Sequence, residues 1–304
     1  DRLADKKFGS TRRGIAPVYA DKYMKKGIRM GDLFDFDTLE EKVRDIVEWK
    51  NITVVGYGHA PIDPEETINW LKKYGSILLP YITDVSNYLY NALAEKKNVM
   101  FEAQLGALRD IDFGIYPYTS SSTTLATYAP IGAGIPGVPV TDIVGIMKAY
   151  STCVGEGPFT AEMFGEEAER LRAAGGEYGA ATGRPRRVGP FDVPASRYGV
   201  RMQGATRIAL TKLDVLSYME KIPVCVAYEI DGVRTTDFPI GERLNRAKPV
   251  IEYLDGFGDV SKCRTYDSLP EAAKRYILYL EAAVGCWIEY VSVGAGRDEY
   301  IRFN

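Results

Sequence analysis

Apolar positions recur along the chain in two rhythms, which predict strands and helices in succession. Short apolar runs bounded by polar or glycine-containing segments predict buried strands at 143–150, 207–211, 223–229 and 287–293. Apolar residues at helical spacing predict helices at 165–174, 191–203 and 270–284. Strands that alternate with helices predict an α/β fold, with a mainly parallel central sheet and helices on both faces.

The first hundred residues show a mostly helical pattern. Asp37 followed by Glu40 predicts a helix N-cap and its capping partner, and apolar residues then recur at helical spacing through Trp49. Pro64 predicts the start of the next helix, because proline is tolerated in a first turn. The pattern also predicts a strand at 52–55, a helix at 81–96 and a short strand at 98–102. We predict a single domain over 1–304, with a mostly helical subregion at 1–97 and a sheet-forming subregion at 98–304.

Composition argues against several classes of partner. Of the 304 residues 46% are hydrophobic and 26% charged, and the net charge of −3 does not favour binding to nucleic acid. No apolar run approaches the roughly 20 residues of a membrane helix, so no membrane association is predicted. Four cysteines without CxxC spacing and a single histidine indicate neither a zinc site nor a disulfide framework. The absence of an apolar signal segment adds to a predicted cytoplasmic location.

A loop at 179–187 concentrates Arg184, Arg186 and Arg187 beside two glycines and a proline. Because proline disfavours a helix here, the guanidinium groups are expected to project from a turn. Guanidinium groups bind carboxylate and phosphate oxygens with two parallel hydrogen bonds, which lysine cannot do. The loop therefore predicts a site for small anionic ligands.

The segment Thr-Lys-Leu-Asp at 211–214 follows the predicted strand at 207–211. Ligands of α/β sheets bind beyond the carboxyl ends of strands. A carboxylate at Asp214 can accept hydrogen bonds from the N1–H and amino group of guanine, whereas adenine has no N1 proton. The stem of Lys212 could cover the base. The alternative is a strand-end cap with an ordinary ion pair.

Three other segments have either a ligand-binding or a plain turn interpretation. They are the glycine-rich turn at 155–159, the hydroxyl-rich segment at 110–122 and the segment at 9–14. The Gly-x-Gly-x-x-Gly pattern at 132–137 is not interpreted as a dinucleotide motif, because Pro136 and Pro139 make a helix awkward there. His59, the only histidine, is predicted to be an exposed loop residue.

In order along the chain, these segments resemble adenylosuccinate synthetase. The resemblance runs from Gly-Ser-Thr-Arg-Arg-Gly-Ile-Ala-Pro at 9–17 to Val-Ser-Val-Gly-Ala-Gly-Arg-Asp-Glu at 291–299. The matching segments between them lie at 27–33, 110–114, 148–150, 154–159, 182–187 and 211–216. This many motifs in collinear order make the resemblance specific over nearly the whole chain.

The resemblance implies a homodimeric ligase that couples GTP hydrolysis to the joining of L-aspartate and IMP. GTP phosphorylates the 6-oxygen of IMP, the aspartate amine displaces that phosphate, and Mg²⁺ accompanies GTP. The products are adenylosuccinate, GDP and phosphate. By residue match, IMP would be bound by Thr11, Lys25, Ser120, Val154 and Arg184. Aspartate would be bound by Thr182, Gly183, Arg184 and Arg186. GTP would be bound by Arg186, Lys212, Asp214 and Gly294.

The chain also departs from the family pattern. We find no equivalent of the N-terminal phosphate loop with its catalytic aspartate, nor of the catalytic histidine, so no catalytic or metal-binding residue is assigned within these 304 residues. Leu105 stands where an IMP-binding glutamine is expected, and Ala181, Cys153 and Lys25 replace a threonine and two arginines. We therefore expect weak or absent catalysis from this chain alone. The alternatives are a non-catalytic nucleotide-binding or dimerisation relative, and a related ligase acting on another purine monophosphate.

Overall fold

The structure is a computed structural model that describes residues 13–179 and 183–303. The helices are α1 Ile15–Tyr23, α2 Phe36–Gly56, α3 Pro64–Leu78, α4 Val85–Ala94, α5 Ala129–Gly132, α6 Gly165–Gly175, α7 Val193–Gln203, α8 Glu242–Asn245 and α9 Glu271–Val284. The strands are β1 Val144–Lys148, β2 Ser151–Cys153, β3 Arg187–Gly189, β4 Phe191–Asp192, β5 Arg207–Thr211, β6 Lys221–Ile230, β7 Val233–Thr235, β8 Lys248–Asp255, β9 Ile288–Ser292 and β10 Tyr300–Arg302.

The described residues divide into two compact units. A helical unit comprises the residues up to Met100 together with Ala133–Ile135, and it contains α1 to α4. A sheet unit comprises Phe101–Gly132 and the residues from Pro136 onward, and it contains all ten strands listed above. The assignment of the chain to a single domain stays a prediction.

The sheet unit is built on a four-stranded sheet in the order β1-β5-β9-β10. β1, β5 and β9 are parallel, and β10 runs antiparallel to β9 at the edge. Ile208 and Leu210 alternate with less buried residues along β5 and are almost completely inaccessible, as are Ile277 and Leu280 of α9. These side chains belong to one apolar core, whose burial is the main source of stability for the sheet.

A second sheet and a small strand pair complete this unit. β6 pairs with β4 in parallel and with β7 and β8 antiparallel, while β2 and β3 form a separate antiparallel pair. The predicted α/β class is confirmed, with parallel strands in mixed sheets. The predicted strands at 143–150, 207–211, 223–229 and 287–293 correspond to β1, β5, β6 and β9. The predicted helices at 165–174, 191–203 and 270–284 correspond to α6, α7 and α9.

The helical unit confirms the helix predicted through Trp49 and the helix that begins at Pro64, but two predicted strands and some helix ends are wrong. The N-cap of α2 is Asp35, whose carboxylate accepts the Thr38 N–H at 3.2 Å, and Asp37 lies inside the helix. The predicted strand at 52–55 is the last part of α2, because no turn residue interrupts the helix before Gly56. The helix predicted at 81–96 is shorter, as α4, and no strand forms at 98–102.

The unit has its own small core, formed by Leu33, Leu39, Val43, Val47 and Ile68. Leu39, Val43 and Val47 lie four residues apart on one face of α2, as the helical spacing predicted. No helix in the described ranges is both long enough and apolar enough to cross a bilayer.

Candidate functional site

Three parallel strands bring polar positions together where their carboxyl ends meet, at one edge of the four-stranded sheet. Lys148 is the last residue of β1, Lys212 directly follows β5, and Gly294 lies two residues beyond β9. The register pairs Lys148 with Thr211, so the carboxyl ends of β1 and β5 lie side by side. This edge is where α/β sheets bind ligands.

Asp214 offers a hydrogen-bond acceptor at this edge that residues 13–179 and 183–303 leave unused. It lies in the 3-10 helix Leu213–Tyr218, which follows Lys212 in the left-handed conformation with φ of 61°. Its Oδ1 is buried and has no hydrogen-bond partner among the described residues. Burial raises the pKa of Asp214. Because an unpaired buried acceptor is costly, a ligand that donates hydrogen bonds to it would be strongly favoured.

Lys212 is fixed by contacts within the protein. Its Nζ donates to the carbonyl oxygen of Gly175 and lies 3.2 Å from Oε1 of Glu177. Its backbone N–H donates to Oγ of Ser292 at 2.9 Å, which ties the end of β5 to the end of β9. The ammonium group is therefore held by Gly175 and Glu177, and the predicted contact of the lysine stem with a base stays a prediction.

Glu177 is the centre of a charged cluster that the sequence did not reveal. The residue is fully buried. Its Oε1 accepts hydrogen bonds from Nζ of Lys148 at 2.8 Å and from the hydroxyl of Tyr150 at 2.5 Å. Its Oε2 accepts from Nη1 of Arg186 at 3.0 Å. Burial alone would raise the pKa of Glu177, but the hydrogen bonds from Lys148 and Tyr150 lower it to about 2. The carboxylate is therefore charged throughout the physiological range.

The cluster also affects its other members. Burial lowers the pKa of Lys148, against the opposing effect of its hydrogen bond to Glu177. Burial and the same carboxylate raise the pKa of Tyr150, so its hydroxyl remains a donor. Including Lys212, three cations contact a single carboxylate. We call this set, Lys148, Tyr150, Glu177, Arg186 and Lys212, the Glu177 cluster.

The arginine-rich loop contributes its three arginines in different ways. Arg186 belongs to the Glu177 cluster, and its Nε is buried without a partner among the described residues. Arg184 is mostly exposed, with its Nη2 3.6 Å from Oε1 of Glu156. Arg187 is bidentate to Glu162 and also donates to the carbonyl oxygen of Gly157 at 2.8 Å. Arg187 therefore supports the loop at 155–157, while Arg184 and Arg186 are the candidates for ligand contact.

A second network joins the two segments predicted to bind IMP within the sheet unit. The Ser120 N–H donates to the carbonyl oxygen of Arg109 at 2.8 Å. The guanidinium of Arg109 reaches the carbonyl oxygens of Tyr118 and Val154, the latter at 2.7 Å, and lies 2.9 Å from Sγ of Cys153. Ser120 and Val154 are thus linked through one arginine.

Gly294 lies in a tight loop after β9. The Val293 N–H donates to the carbonyl oxygen of Glu299 at 2.9 Å, and the Gly296 N–H donates to Oε2 of Glu299 at 2.7 Å. A Cβ at Gly294 would lie 2.3 Å from that carboxylate oxygen. A larger residue at Gly294 would therefore have to displace the Glu299 side chain and its hydrogen bond to Gly296. Glu299 is also among the charges that raise the pKa of Asp214, so this loop and the guanine candidate are neighbours.

The remaining predicted residues are less informative. Thr11, Thr182 and Ala181 lie outside the described residues. Gly183 is exposed, with φ of 63°. Lys25 is exposed after α1 in the helical unit, and its predicted contact with IMP stays a prediction.

Two functional candidates, Glu177 and Arg109, were missed from sequence. Glu177 is 29 residues from Lys148 and 35 from Lys212, so only the fold reveals their contact. The available signal was a glutamate directly before an arginine-rich loop. Arg109 gave no signal beyond its position before the hydroxyl-rich segment.

Residues 13–179 and 183–303 contain no group of three or more His, Cys, Asp or Glu side chains suited to hold a metal ion. No step of the chemistry is assigned to a metal on these residues.

The parallel strands place an unpaired carboxylate oxygen and several cations at their carboxyl ends, so the fold and site are those of a ligand-binding α/β protein. Comparison with known proteins gives the family. The sequence model of adenylosuccinate synthetase matches residues 1–301. The chain therefore belongs to the adenylosuccinate synthetase family.

Individual relatives agree. The chain is 45% identical to the adenylosuccinate synthetase of Cutibacterium acnes over 305 residues, which cover 99% of this chain and 71% of the relative. It is 44% identical to that of Mycobacterium marinum over 302 residues, covering 98% and 70%. The structure of fully ligated adenylosuccinate synthetase from Plasmodium falciparum superposes with a TM-score of 0.92 at 35% identity, covering 98% of this chain and 71% of that one.

Proposed function

We propose that this protein acts as a GTP-dependent ligase that joins L-aspartate to IMP and releases adenylosuccinate, GDP and phosphate. The unpaired, buried Oδ1 of Asp214 carries the proposal, because guanine N1–H and its amino group are donors that adenine does not present in this arrangement. Family membership supports the same activity.

Each ligand has a place in this proposal. Asp214 receives the guanine of GTP, with Gly294 beside it and the stem of Lys212 along the base. Arg184 and Arg186 bind the carboxylates of aspartate, for which guanidinium geometry is suited. Arg184 also contacts IMP, and Arg186 also contacts GTP. Ser120 and Val154 hold IMP, supported by Arg109. Thr11, Thr182, Gly183 and Lys25 complete the assignment by family resemblance.

The chemistry divides into two displacements. The 6-oxygen of IMP attacks the γ-phosphorus of GTP and GDP leaves; the aspartate amine then attacks carbon 6 and phosphate leaves. The surplus positive charge of the Glu177 cluster favours the anionic ligands at this edge. Mg²⁺ would accompany the GTP phosphates and screen their charge. A homodimer and a cytoplasmic location are part of the same proposal.

Nucleotide titration tests the proposal. We expect GDP to bind the chain at least about 100-fold more tightly than ADP by calorimetry, because adenine would leave the Asp214 carboxylate unpaired. Equal affinities would contradict guanine recognition at Asp214. A ligation assay with GTP, IMP and aspartate, followed by mass spectrometry of adenylosuccinate, tests the chemistry; a low rate from this chain alone stays a prediction.

The same assay tests the second candidate function, in which this protein is a related ligase that acts on a purine monophosphate other than IMP. Leu105 is exposed, lies in the left-handed region with φ of 76°, and offers no amide where the family has a glutamine. A panel of purine monophosphates in place of IMP would show faster ligation with another base if this second candidate holds.

A further inference from the structure

Glu177 connects two parts of the proposed site that are separate in sequence. One of its partners, Lys212, precedes the guanine candidate Asp214 by two residues, and another, Arg186, follows Arg184 of the aspartate loop by two residues. Lys212 contacts Oε1 at 3.2 Å and Arg186 contacts Oε2 at 3.0 Å. The two oxygens of one carboxylate therefore hold one cation from each part.

The position of Glu177 is fixed by its own backbone. Its N–H donates to the carbonyl oxygen of Arg172 at the end of α6, and its carbonyl oxygen accepts the N–H of Arg186, both at 2.9 Å. Gly175 makes room for the arrangement, because a Cβ there would lie 2.3 Å from the hydroxyl oxygen of Tyr150. The backbone of Glu177 is thus held by two hydrogen bonds, and its carboxylate holds the longer lysine and arginine side chains.

Removal of this charge would leave Lys148, Arg186 and Lys212 without their shared counter-charge. Like charges at such separations repel, and the repulsion is strong where water is excluded. Lys212 and Arg186 would then move away from each other. Lys212 would displace the segment that contains Asp214, and Arg186 would displace the loop that contains Arg184.

We propose that Glu177 is a positioning residue that holds the guanine subsite and the aspartate-binding loop in register. The proposal rests on the proposed function for the identity of the two ligands. Glu177 touches neither ligand in this account and acts through Lys212 and Arg186.

The test compares Glu177→Gln with a matched control at the other end of the sheet. Glu289 is also fully buried and also contacts two cations, Arg207 and Arg302, but it lies at the amino end of β9. Glu289→Gln therefore makes the same chemical change away from the proposed site. Calorimetry of the 304-residue chain would measure the affinity for GDP and the affinity for IMP. It would also measure the affinity for L-aspartate when GDP and IMP are both present.

We expect Glu177→Gln to weaken the binding of GDP and of aspartate at least tenfold each. IMP affinity should fall at most about threefold, because Arg184 is only one of the five residues assigned to IMP and the Arg109 network does not include Glu177. Glu289→Gln should leave all three affinities unchanged. Glu177→Asp, which keeps the charge on a shorter side chain, should recover part of both losses.

Other results would overturn the proposal. Equal weakening of all three ligands by Glu177→Gln would indicate general damage to the fold, and wild-type affinity for GDP or aspartate would show that the two parts do not depend on Glu177. If wild-type protein binds no GDP, the proposed function itself fails. If wild type binds GDP and Glu177→Gln binds it equally well, only the positioning role fails.

Discussion

The two ends of the four-stranded sheet each contain a buried glutamate surrounded by cations, yet their charges balance differently. At the amino end, Arg207 is shared between Glu289 and Asp142, and Arg302 donates to Glu289 at 2.8 Å. Two arginines meet two carboxylates there. At the carboxyl end, three cations contact the single carboxylate of Glu177, and with the neighbouring carboxylate of Asp214 three cations still face only two carboxylates.

This difference separates a structural cluster from a candidate ligand site. A cluster with matched charges is complete within the protein and ties strands together. A cluster with surplus cations produces a positive potential that an anionic ligand can neutralise. The unpaired Oδ1 of Asp214 lies on the same side as the surplus, so the two incomplete features occur together.

The largest expected effect comes from Asp214→Asn. The amide cannot accept the two charge-assisted hydrogen bonds from guanine, each of which contributes about 1.5–3 kcal/mol, so we expect a loss of at least about 100-fold in GDP affinity. The melting temperature without ligand should not fall, because burial disfavours the charged form of Asp214. Calorimetry and thermal unfolding measure the two effects. Retained GDP affinity would show that guanine binds elsewhere.

The next largest expected effect is a pH dependence of stability caused by a third buried carboxylate, Asp192. It extends the comparison between Glu177 and Glu289 to a carboxylate without cationic partners among the described residues. Asp192 caps α7 by accepting the Ala195 N–H, and it also accepts a hydrogen bond from the hydroxyl of Tyr228. Both donors are neutral. Burial raises the pKa of Asp192 from 3.8 to about 6, opposite to the direction for Glu177. Folding therefore favours its protonated form, and its contribution to stability falls as pH rises from about 4 to about 6.

Asp192→Asn has no such titration. The free energy of unfolding of wild type, relative to that of this variant, should fall by up to about 3 kcal/mol between pH 4 and pH 7. This figure follows because each unit of pKa shift corresponds to about 1.4 kcal/mol. Urea unfolding at a series of pH values measures the difference. A constant difference would contradict the assignment of neutral surroundings to Asp192.

The smallest effect is expected for Asp142→Asn, the matched change to Asp214→Asn at the amino end. Asp142 is more than half exposed and its partner Arg207 keeps Glu289, so exposed ion-pair energetics predict little change in stability. GDP affinity should equal that of wild type. A loss comparable to that of Asp214→Asn would remove the distinction between the two ends.

Sequence patterns were most informative where one element was sufficient to define the feature. β5, α9 and the guanine candidate Asp214 follow from local apolar runs and from position at a strand end. The strand predicted at 52–55 was wrong because its β-branched residues continue a helix already begun at Phe36. β8 was missed because five of its eight residues are exposed, so no clear apolar run marks it.

The site shows the same limit. Lys212, Asp214 and Arg186 were predicted from motifs, but Glu177 was not, since its partners come from distant strands and the contact depends on the register of β1 and β5. The unpaired state of Asp214 Oδ1 also depends on three-dimensional burial.

The location of bound guanine tests the central claim most directly. A crystal structure of the chain with GDP should place guanine N1 and its amino group within hydrogen-bonding distance of the Asp214 carboxylate, at the carboxyl end of β5. Guanine bound at the amino end, near Arg207 and Arg302, or at any other surface would contradict the account.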